Sequence, residues 1–426
     1  MRARTLEAYA KHYTIAWPHE EHASGRPTRT SPLYERLKAR GAAFGEKLGW
    51  ERPNWFAGAG EQPKDRYTFG RPNWTAAVAR EHTATREAVA LFDQSSFAKF
   101  TLEGPDAEAA MAWLSPGAIP EPGALAYAPM LNARGGVECD VTAARLKPDA
   151  FYLICGTGAA THHFDWIRRN IPEGLAATLV DRTGDFAALS VMGPRSRELL
   201  QGLTQDDLSD AAFGFGSARE IGIAGLRAIA LRMSFVGELG FELHVPVADA
   251  DALYDALVAA GAPLGLVDAG YRAIETLRLE KFNWAFGSDV GPDHGPFEAG
   301  LGWALRDDDR AFLGREALEA SRAAPLKKRL ACFTVEDPDV VLLGRETIYR
   351  NGERVGWLSS GGFGHTVGKP IGYGYVRRAE SVDDAFVLSG DYELDVATIR
   401  VPAKVHLAAL YDLEMRRMLD GEDAAA

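Results

Sequence analysis

The sequence predicts an α+β fold followed by a separate all-β domain. Between residues 76 and 325, helical and strand-like segments alternate irregularly, unlike the strict β-α-β order of a doubly wound sheet. From residue 326 onward, short strand-like segments follow one another with turns between them, which is typical of a small barrel. A length of 426 residues with 46% hydrophobic content is sufficient for two or three domains.

The composition excludes two broad classes of function. The formal net charge of -12 differs from the excess of Lys and Arg that nucleic-acid-binding proteins carry. No apolar run approaches the roughly 20 residues of a membrane helix, and the N-terminus lacks the apolar core of a signal peptide. The three cysteines, Cys139, Cys155 and Cys332, have no metal-ligand spacing, and a sparse odd set favours a reducing compartment. We therefore expect a cytoplasmic protein without nucleic-acid or membrane partners.

Residues 1–75 are predicted to form an N-terminal arm. They are irregular and rich in Trp and Pro, so we expect them to pack on a neighbouring domain. One helix is predicted over residues 31–40, with Ser31 as N-cap and Pro32 in the first helical position. Residues 56–66 are predicted to be a linker.

The central domain, residues 76–325, is predicted from apolar periodicity. Its helices are expected over residues 75–91, 106–114, 159–169, 195–203, 248–260 and 270–279. Its strands, apart from one hairpin, are expected over residues 97–102, 151–155, 178–181, 186–191, 218–223, 226–233 and 240–245. The mixture of the two types gives the α+β class.

The C-terminal domain, residues 326–412, is predicted to be a β-barrel. Its strands are expected over residues 327–335, 347–349, 355–359, 371–376 and 403–406. Asn351-Gly352 is a hairpin turn signal. Residues 413–426 are predicted to be a tail, frayed from residue 420 onward.

A β-hairpin over residues 127–145 carries the first candidate site residue. Turn residues 132–136 separate two apolar runs, and Gly135 and Gly136 supply the positive φ of such a turn. Asp140 lies in the second strand, where an acid is disfavoured. It is either a turn-capping or ion-paired acid, or it faces a ligand, since a half-buried carboxylate needs a partner.

Glu242 and Arg272 also have an ordinary and a functional interpretation. Glu242 lies between two apolar residues of a strand, so its side chain points away from theirs, toward solvent or toward a ligand. Arg272 lies in a predicted helix, where it either pairs with Glu275 on the surface or binds an anion in a cavity. Taken with Asp140, these residues suit a ligand with an N–H/NH₂ edge and a carboxylated tail, such as a pterin extended to a folate.

Other common sites are not predicted. The sequence has neither Gly-x-Gly-x-x-Gly after a first strand nor Gly-x-x-x-x-Gly-Lys-Ser/Thr, and no helix follows the glycine-rich residues 359–368. His19 and His22 lack a nearby third ligand, and His162 and His163 are adjacent in a helix and are expected to point in different directions. We therefore expect no metal site and no standard loop for NAD(P), FAD or a nucleoside triphosphate.

Several motifs follow one another between residues 75 and 410. They include Met-Leu-Asn-Ala-Arg-Gly-Gly-Val-Glu-Cys-Asp (130–140), Gly-Glu-Leu-Gly-Phe-Glu (237–242), Tyr-Arg-Ala-Ile-Glu-Thr-Leu-Arg-Leu-Glu (271–280) and Pro-Phe-Glu-Ala-Gly-Leu-Gly-Trp (296–303). The series resembles the glycine-cleavage T-protein (aminomethyltransferase) family of tetrahydrofolate-dependent one-carbon transferases. The arm resembles the segment before the folate domain of dimethylglycine and sarcosine dehydrogenases, whose flavin domain we do not find in this sequence.

The resemblance implies a T-protein-like folate-binding domain in two subdomains, a C-terminal β-barrel and tetrahydrofolate as cofactor. Asp140 matches the family's key acid beside the folate nitrogens that receive the carbon. Glu242 matches the acid that binds the pterin edge, and Arg272 an arginine of the folate site. Tyr127 and Met130 match the lining of the same pocket.

The side of the pocket that takes the carbon donor departs from the family pattern. Phe235, a predicted cofactor contact, stands where T-proteins often have Tyr, and Trp-Ala-Phe-Gly (284–287) replaces a Leu-Tyr-Gly pattern. The implied function is transfer of a methyl or methylene unit from an N-methylated small amine or amino acid to tetrahydrofolate, with a separate flavoprotein subunit as partner if an oxidation comes first. A sulfonium demethylase, a glycine-cleavage aminomethyltransferase and a non-catalytic folate-binding module stay open as alternatives.

Overall fold

The computed structural model describes residues 2–419. The N-terminal arm contains two helices and a two-stranded hairpin: α1 (Arg2–Lys11), α2 (Tyr34–Ala39), β1 (Ala42–Lys47) and β2 (Trp50–Phe56). The sequence pattern predicts only the second helix. Leu48 and Gly49 join the two strands with positive φ angles of 49° and 83°, as in a type I′ turn. A leucine rarely adopts such an angle, which explains why this hairpin gives no turn signal.

The central part of the chain alternates helices and strands as predicted. Its elements are α3 (Thr75–Glu87), β3 (Val89–Asp93), β4 (Ala98–Glu103), α4 (Ala107–Leu114), β5 (Leu125–Leu131), β6 (Val137–Lys147), β7 (Ala150–Cys155), α5 (Ala160–Asn170), β8 (Thr178–Asp181), β9 (Phe186–Met192), α6 (Ser196–Gln201), β10 (Ala218–Ile223), β11 (Leu226–Leu231), β12 (Gly240–Pro246), α7 (Ala250–Gly261), β13 (Leu266–Asp268), α8 (Tyr271–Glu280), α9 (Pro296–Ala299) and α10 (Arg315–Ala323). The predicted helix over residues 75–91 is too long, because residues 89–91 begin the fully buried strand β3. Within residues 2–419, no helix is long and apolar enough to cross a membrane.

These strands form two sheets that face each other. The six-stranded sheet has the order β10-β11-β12-β9-β3-β13, and the five-stranded sheet has the order β5-β6-β7-β4-β8. Helices α6 and α7 cover the outer face of the first sheet, and α4 and α5 that of the second. The inner faces meet at an apolar cluster that includes Tyr152 and Ile154 from one sheet and Ile229 and Leu231 from the other. The predicted hairpin is confirmed as β5–β6, with Gly135 in its turn at a φ of 81°.

The predicted C-terminal barrel is also confirmed. Its elements are β14 (Lys328–Val335), β15 (Thr347–Arg350), β16 (Glu353–Gly364), β17 (Lys369–Arg377), α11 (Asp384–Leu388), β18 (Tyr392–Val396) and β19 (Ile399–His406), and α12 (Arg416–Leu419) follows. The strands close in the order β14-β17-β16-β15-β18-β19, and Asn351-Gly352 forms the β15–β16 turn. The predicted frayed segment, residues 420–426, lies outside the described residues.

A cluster of buried charges joins the central part to the barrel and the chain's end. The guanidinium of Arg86 donates to Glu238 at 3.0 Å and to Glu280 at 2.9 Å. Glu238 also accepts from Arg417 at 2.8 Å, and Glu280 accepts from the backbone N–H of Thr366 in the β16–β17 turn at 2.7 Å. Both carboxylates have fully buried side chains. We call this set the interdomain ion cluster.

Candidate active site

Asp140 lies on the inner face of the five-stranded sheet. In the β5–β6 pair it is opposite Pro129, and two positions along Thr142 is opposite Tyr127, so Asp140 and Tyr127 point to the same side. Thr142 is also paired with Ile154, which belongs to the apolar cluster between the sheets. Asp140 and Tyr127 therefore face the six-stranded sheet.

The Asp140 carboxylate makes no hydrogen bond of ordinary geometry within residues 2–419. Burial raises its pKa above the ordinary 3.8, and the nearby Tyr127 hydroxyl lowers it only in part. That hydroxyl is itself buried without a hydrogen-bond partner among the described residues. The turn-capping and ion-paired interpretations of Asp140 therefore find no partner in this part of the chain.

Asp140 is buried only in part. The residue keeps intermediate exposure, although burial is the largest cause of its raised pKa. Asp140 is therefore partly accessible to solvent.

A chain of hydrogen bonds fixes the backbone of Asp140. Its N–H donates to Nε2 of His163 at 3.0 Å, so a neutral His163 carries its proton on Nδ1. This Nδ1 is 3.1 Å from Nδ1 of His162, whose Nε2 is 3.0 Å from Glu138. Burial lowers the pKa of His163 to about 3, which keeps it neutral. The network holds the strand that carries Asp140.

The two histidines do meet, contrary to the sequence prediction that they point apart. Their nitrogens and the sulfur of Cys139 lie within 4.8 Å of one another. The hydrogen bonds to Asp140 and Glu138 already satisfy the outer ring nitrogens, and burial raises the pKa of the Cys139 thiol far above its usual range, which disfavours the thiolate that a metal needs. The expectation of no metal site stays a prediction.

Glu242 lies on the inner face of the six-stranded sheet, opposite Asp140's sheet. In β12 it pairs with Leu231 on β11 and with Ser190 on β9, and Leu231 belongs to the cluster between the sheets. Glu242 is only 6% exposed, so the solvent-facing interpretation is wrong. Its carboxylate approaches Nε2 of His244 at 3.5 Å but makes no hydrogen bond of ordinary geometry within residues 2–419.

Polar residues near Glu242 were not predicted from the sequence. The hydroxyl of Ser190, its neighbour on β9, donates to Gln94. The hydroxyl of Tyr271, at the start of α8, lies 3.2 Å from Oγ of Ser96. The only signal for Gln94 and Ser96 is the polar run 93–96, which interrupts the apolar pattern between two elements.

Lys99 is a buried cation near Glu242 that does not neutralise it by a direct ion pair. Its Nζ donates to the carbonyl oxygens of Ser95 and Phe186, at 2.8 Å each. Burial lowers the pKa of Lys99 to about 8. The oxygens of Glu242 thus keep their capacity to accept hydrogen bonds from a ligand.

A separate cavity of about 770 Å³ opens between the arm and α5. Ser96, Trp50, Arg29 and Arg168 are among its lining residues. It contains neither Asp140 nor Glu242, so it is distinct from the space between the sheets, although Ser96 borders both.

Arg272 does not lie with these groups, and its predicted role in the folate site is not supported by its position. Its guanidinium binds both carboxylate oxygens of Asp65, one at 3.0 Å, and stacks on Trp74 at 4.2 Å from the ring centroid. The predicted surface pair with Glu275 is also wrong, because Glu275 binds Arg278 instead. Arg272 thus attaches α8 to the residues before α3.

Met130 does not lie in the predicted pocket, and the predicted cofactor contact of Phe235 stays a prediction. Met130 pairs with Cys139 on the outer face of the five-stranded sheet and is fully buried in the core under α4 and α5, so it does not share a pocket with Tyr127. Phe235 is 37% exposed, and its carbonyl accepts a hydrogen bond from Asn283 at 2.8 Å. Phe235 therefore lies near the segment that carries Trp284.

Three aromatic rings from separate elements meet beside Asp140. Tyr127 comes from β5, Trp284 from the segment after α8, and Trp303 from a 3₁₀ turn, Gly302–Ala304. Their ring centroids are 6.3 Å (Tyr127–Trp284), 5.7 Å (Tyr127–Trp303) and 6.4 Å (Trp284–Trp303) apart. We call this set the aromatic triangle.

Comparison with protein families places both parts of the chain. A model of the GCVT N-terminal domain matches residues 33–309, and a model of the glycine cleavage T-protein C-terminal barrel domain matches residues 328–412. A model of the FAD dependent oxidoreductase central domain matches residues 1–31. Residues 1–31 of the arm thus match a different domain type, and the GCVT match begins within the arm, at residue 33.

Individual relatives agree with the family models. The chain is 39% identical to mitochondrial sarcosine dehydrogenase of Homo sapiens and 40% identical to 4-methylaminobutanoate oxidase (formaldehyde-forming) of Paenarthrobacter nicotinovorans, each match covering 98% of this chain and 50% of the relative. The chain therefore spans about half the length of these relatives. Among solved structures, the glycine cleavage system aminomethyltransferase T from Bartonella henselae superposes with a TM-score of 0.77 at 25% identity, covering 91% of this chain and 99% of that one. This chain belongs to the glycine cleavage T-protein family, as the counterpart of the C-terminal halves of sarcosine and dimethylglycine dehydrogenases.

Proposed function

We propose that this chain binds tetrahydrofolate between its two central sheets and transfers to it a one-carbon unit from an N-methylated small amine or amino acid. The observation that carries the proposal is that two acids between the sheets lack hydrogen-bond donors. Asp140 and Glu242 project from facing sheets, and neither carboxylate has a hydrogen-bond donor of ordinary geometry within residues 2–419. Carboxylates that are largely buried and lack a hydrogen-bond donor are typical of ligand sites.

The residues present fit a folate. The two oxygens of Glu242 can accept paired hydrogen bonds from an N–H/NH₂ edge, as on a pterin. The Tyr127 hydroxyl, which lacks a partner among the described residues, can bind a further polar group. GCVT domains bind folate generally, which agrees with this assignment.

Asp140 has the properties of the proton acceptor. Tetrahydrofolate, when bound, supplies the amine nitrogen that takes the carbon. The Asp140 carboxylate would take the proton that this nitrogen sheds, and its raised pKa makes it a stronger base than an exposed aspartate. Its negative charge also offsets positive charge on the donor carbon, while the bond from its N–H to His163 keeps it in place.

The choice of an N-methylated donor rests on the relatives. Sarcosine dehydrogenase and 4-methylaminobutanoate oxidase are named for N-methylated amino acids. Because the chain covers only half of each relative, a separate flavoprotein that first oxidises the donor is part of the proposal, and direct transfer of a methyl group is its alternative. A sulfonium donor and an aminomethyl donor stay as rival substrates.

A non-catalytic folate-binding module is the second candidate from a different class. Relatives of that kind depend on a reactive cysteine. Cys139 is fully buried, and burial raises the pKa of its thiol far above the usual range, so it is an inert thiol. This observation favours the transferase over the cysteine-dependent module.

The deciding experiment identifies the folate product. The protein is incubated anaerobically with tetrahydrofolate and, one at a time, sarcosine, dimethylglycine, 4-methylaminobutanoate, a trimethylammonium compound and a dimethylsulfonium compound, with and without a flavoprotein dehydrogenase. Methyl-tetrahydrofolate indicates direct transfer, and methylene-tetrahydrofolate that depends on the flavoprotein indicates capture after oxidation. Tight folate binding without any product in all arms contradicts the transferase and supports the module.

A further inference from the structure

We propose that the aromatic triangle (Tyr127, Trp284 and Trp303) seats the positively charged, methylated group of the carbon donor. The donor would then be an onium cation, with methyl groups on a charged nitrogen or sulfur. This inference rests on the proposed transferase function and specifies its substrate class.

The geometry of the triangle suits a cation. The three centroid separations lie between 5.7 and 6.4 Å, so a cation placed over the middle of the triangle lies within the ~6 Å over which ring faces attract cations. The planes are inclined to one another by 32°, 70° and 49°, which leaves the rings unstacked. The three rings therefore meet at angles rather than in a flat stack.

The triangle has no cation of its own among the described residues. Three of the seven other tryptophans carry an arginine over the ring: Trp50 (Arg29), Trp74 (Arg272) and Trp357 (Arg377), at 4.7, 4.2 and 4.3 Å from the ring centroid. No Arg or Lys within residues 2–419 stacks on the three rings of the triangle. These ring faces therefore have no cation from the described part of the chain that would compete with an external one.

The exposure of Trp303 and the negative charge of Asp140 also favour a cation site. Trp303 is 68% exposed, more than any other tryptophan in the described residues, so its ring is accessible to a ligand from solvent. Asp140 is near enough to the Tyr127 hydroxyl to perturb its pKa, and it has no cationic partner within residues 2–419. A carboxylate beside ring faces adds attraction for a cation and brings it to the proposed proton acceptor.

Hydrogen bonds anchor the backbone near Trp284 and near Trp303. Asp289, fully buried, accepts hydrogen bonds from Arg278 and from the backbone N–H of Ala285, both at 2.9 Å. The N–H of Arg306 donates to the carbonyl of Pro116, in the segment between α4 and β5, at 3.0 Å. Such anchoring of the backbone lowers the entropic cost of binding a ligand.

Two other occupants compete with this proposal. A neutral amine would be held by apolar contact alone, and the aromatic ring of the folate would stack on the tryptophans. If a neutral amine is the occupant, charged and uncharged probes should bind equally well. If the folate ring is the occupant, changes in the triangle should weaken folate binding more than donor binding.

The test uses isosteric probes with and without charge. Protein labelled with 5-fluorotryptophan is titrated with choline, with the (2-hydroxyethyl)dimethylsulfonium ion and with 3,3-dimethyl-1-butanol, the uncharged carbon analogue of choline. The ¹⁹F signal of Trp303 is assigned by its loss in Trp303→Phe. We expect both cations to shift that signal and the alcohol to bind at least about 10-fold more weakly; equal binding of alcohol and choline overturns the proposal.

Variants separate the triangle from the folate site. Trp303→Leu should weaken choline binding by about 3- to 30-fold and leave the Kd for tetrahydrofolate unchanged, and Trp303→Phe should restore much of the affinity. Trp357→Leu, a change of another exposed tryptophan in the barrel, is the matched control and should alter neither. If Trp303→Leu loses more affinity for tetrahydrofolate than for choline, the triangle belongs to the folate site and the inference is overturned.

The two proposals fail in distinguishable ways. If choline binds the triangle but no tetrahydrofolate binds, the transferase function fails while the cation site stands. If tetrahydrofolate binds and one-carbon transfer occurs without cation preference at Trp303, the function stands and the cation site fails.

Discussion

Two pairs of low-exposure acids in this molecule differ in what surrounds them. Glu238 and Glu280, in the interdomain ion cluster, are held by Arg86, Arg417 and backbone N–H groups. Asp140 and Glu242, between the central sheets, have no hydrogen-bond donor of ordinary geometry in the described residues. Burial is similar in kind, and only the supply of donors separates a structural acid from a candidate catalytic one.

The pKa directions follow that difference only in part. Burial opposes ionisation of Glu280, but hydrogen bonds and charge from His82 and Arg86 outweigh it and lower its pKa to about 2. At Asp140 burial dominates and raises the pKa. Glu238 shows that pairing alone does not decide the direction, because burial still raises its pKa beside two arginines. A buried acid therefore identifies a ligand site only when its donors are also missing.

Asp140→Asn should give the largest change in activity. Loss of the carboxylate removes the proton acceptor, so we expect turnover to fall by about 10²- to 10⁴-fold, while the Kd for tetrahydrofolate stays within about threefold. Single-turnover kinetics and equilibrium folate binding measure the two effects. Glu103→Gln, which changes an exposed acid on β4 of the same sheet, is the matched control and should keep most of the activity.

The pH dependence of activity also tests the role of Asp140 as the base. Asp140 acts as a base, so activity should be lost on the acid side as pH falls through its pKa, which lies above the ordinary 3.8. The residual activity of Asp140→Asn should lack that limb. An acid limb of the same midpoint in the variant would falsify the assignment of the base.

Glu280→Gln should cause the largest loss of stability. It leaves the buried charge of Arg86 with one carboxylate fewer, and breaking a buried ion pair costs about 3–5 kcal/mol. Urea unfolding measures the free energy of unfolding, and Glu220→Gln, whose partner Arg227 is exposed, is the control with an expected change below about 1 kcal/mol. Because the folded pKa is lowered to about 2, the wild-type advantage should be present above the unfolded pKa near 4.5 and disappear as pH falls toward 2.

Glu242→Gln should weaken folate binding without a comparable loss of stability. An amide offers one acceptor where the carboxylate offers two, and hydrogen bonds to a charged group are worth about 1.5–3 kcal/mol, so the Kd for tetrahydrofolate should rise by about 10- to 100-fold. Titration calorimetry measures the Kd, with Glu220→Gln of the same sheet as control. An unchanged Kd would show that Glu242 does not contact the folate.

Arg272→Met should have the smallest effect on folate binding. Its pairing with Asp65 and stacking on Trp74 join the arm to α8, and both charged side chains are mostly buried. We therefore expect about 1.5–3 kcal/mol lower stability and an unchanged Kd for tetrahydrofolate. A large rise of the Kd in this variant would restore Arg272 to the folate site.

Local pattern explains which site residues were predictable. Asp140 and Glu242 are acids at alternating positions in otherwise apolar strands, and strand periodicity alone indicates which side each faces. Met130 is three positions from Tyr127 in β5, so strand alternation alone places the two side chains on opposite faces, and the sequence pattern was sufficient to separate them. Arg272 was misplaced because its partner Asp65 lies in a segment that the sequence pattern assigned to a linker.

By itself, the sequence determined the α+β class, the β5–β6 hairpin, the barrel, the two acids and the family. These follow from short-range periodicity, turn residues and ordered motifs. Only the tertiary structure decided that Asp140 and Glu242 lie on facing sheets without donors of ordinary geometry in the described residues, that Arg272 of α8 pairs with Asp65 of the arm, and that Tyr127, Trp284 and Trp303 converge. The physical reason is that hydrogen-bond supply and ring packing depend on partners more than a hundred residues apart in the chain, which no local pattern encodes.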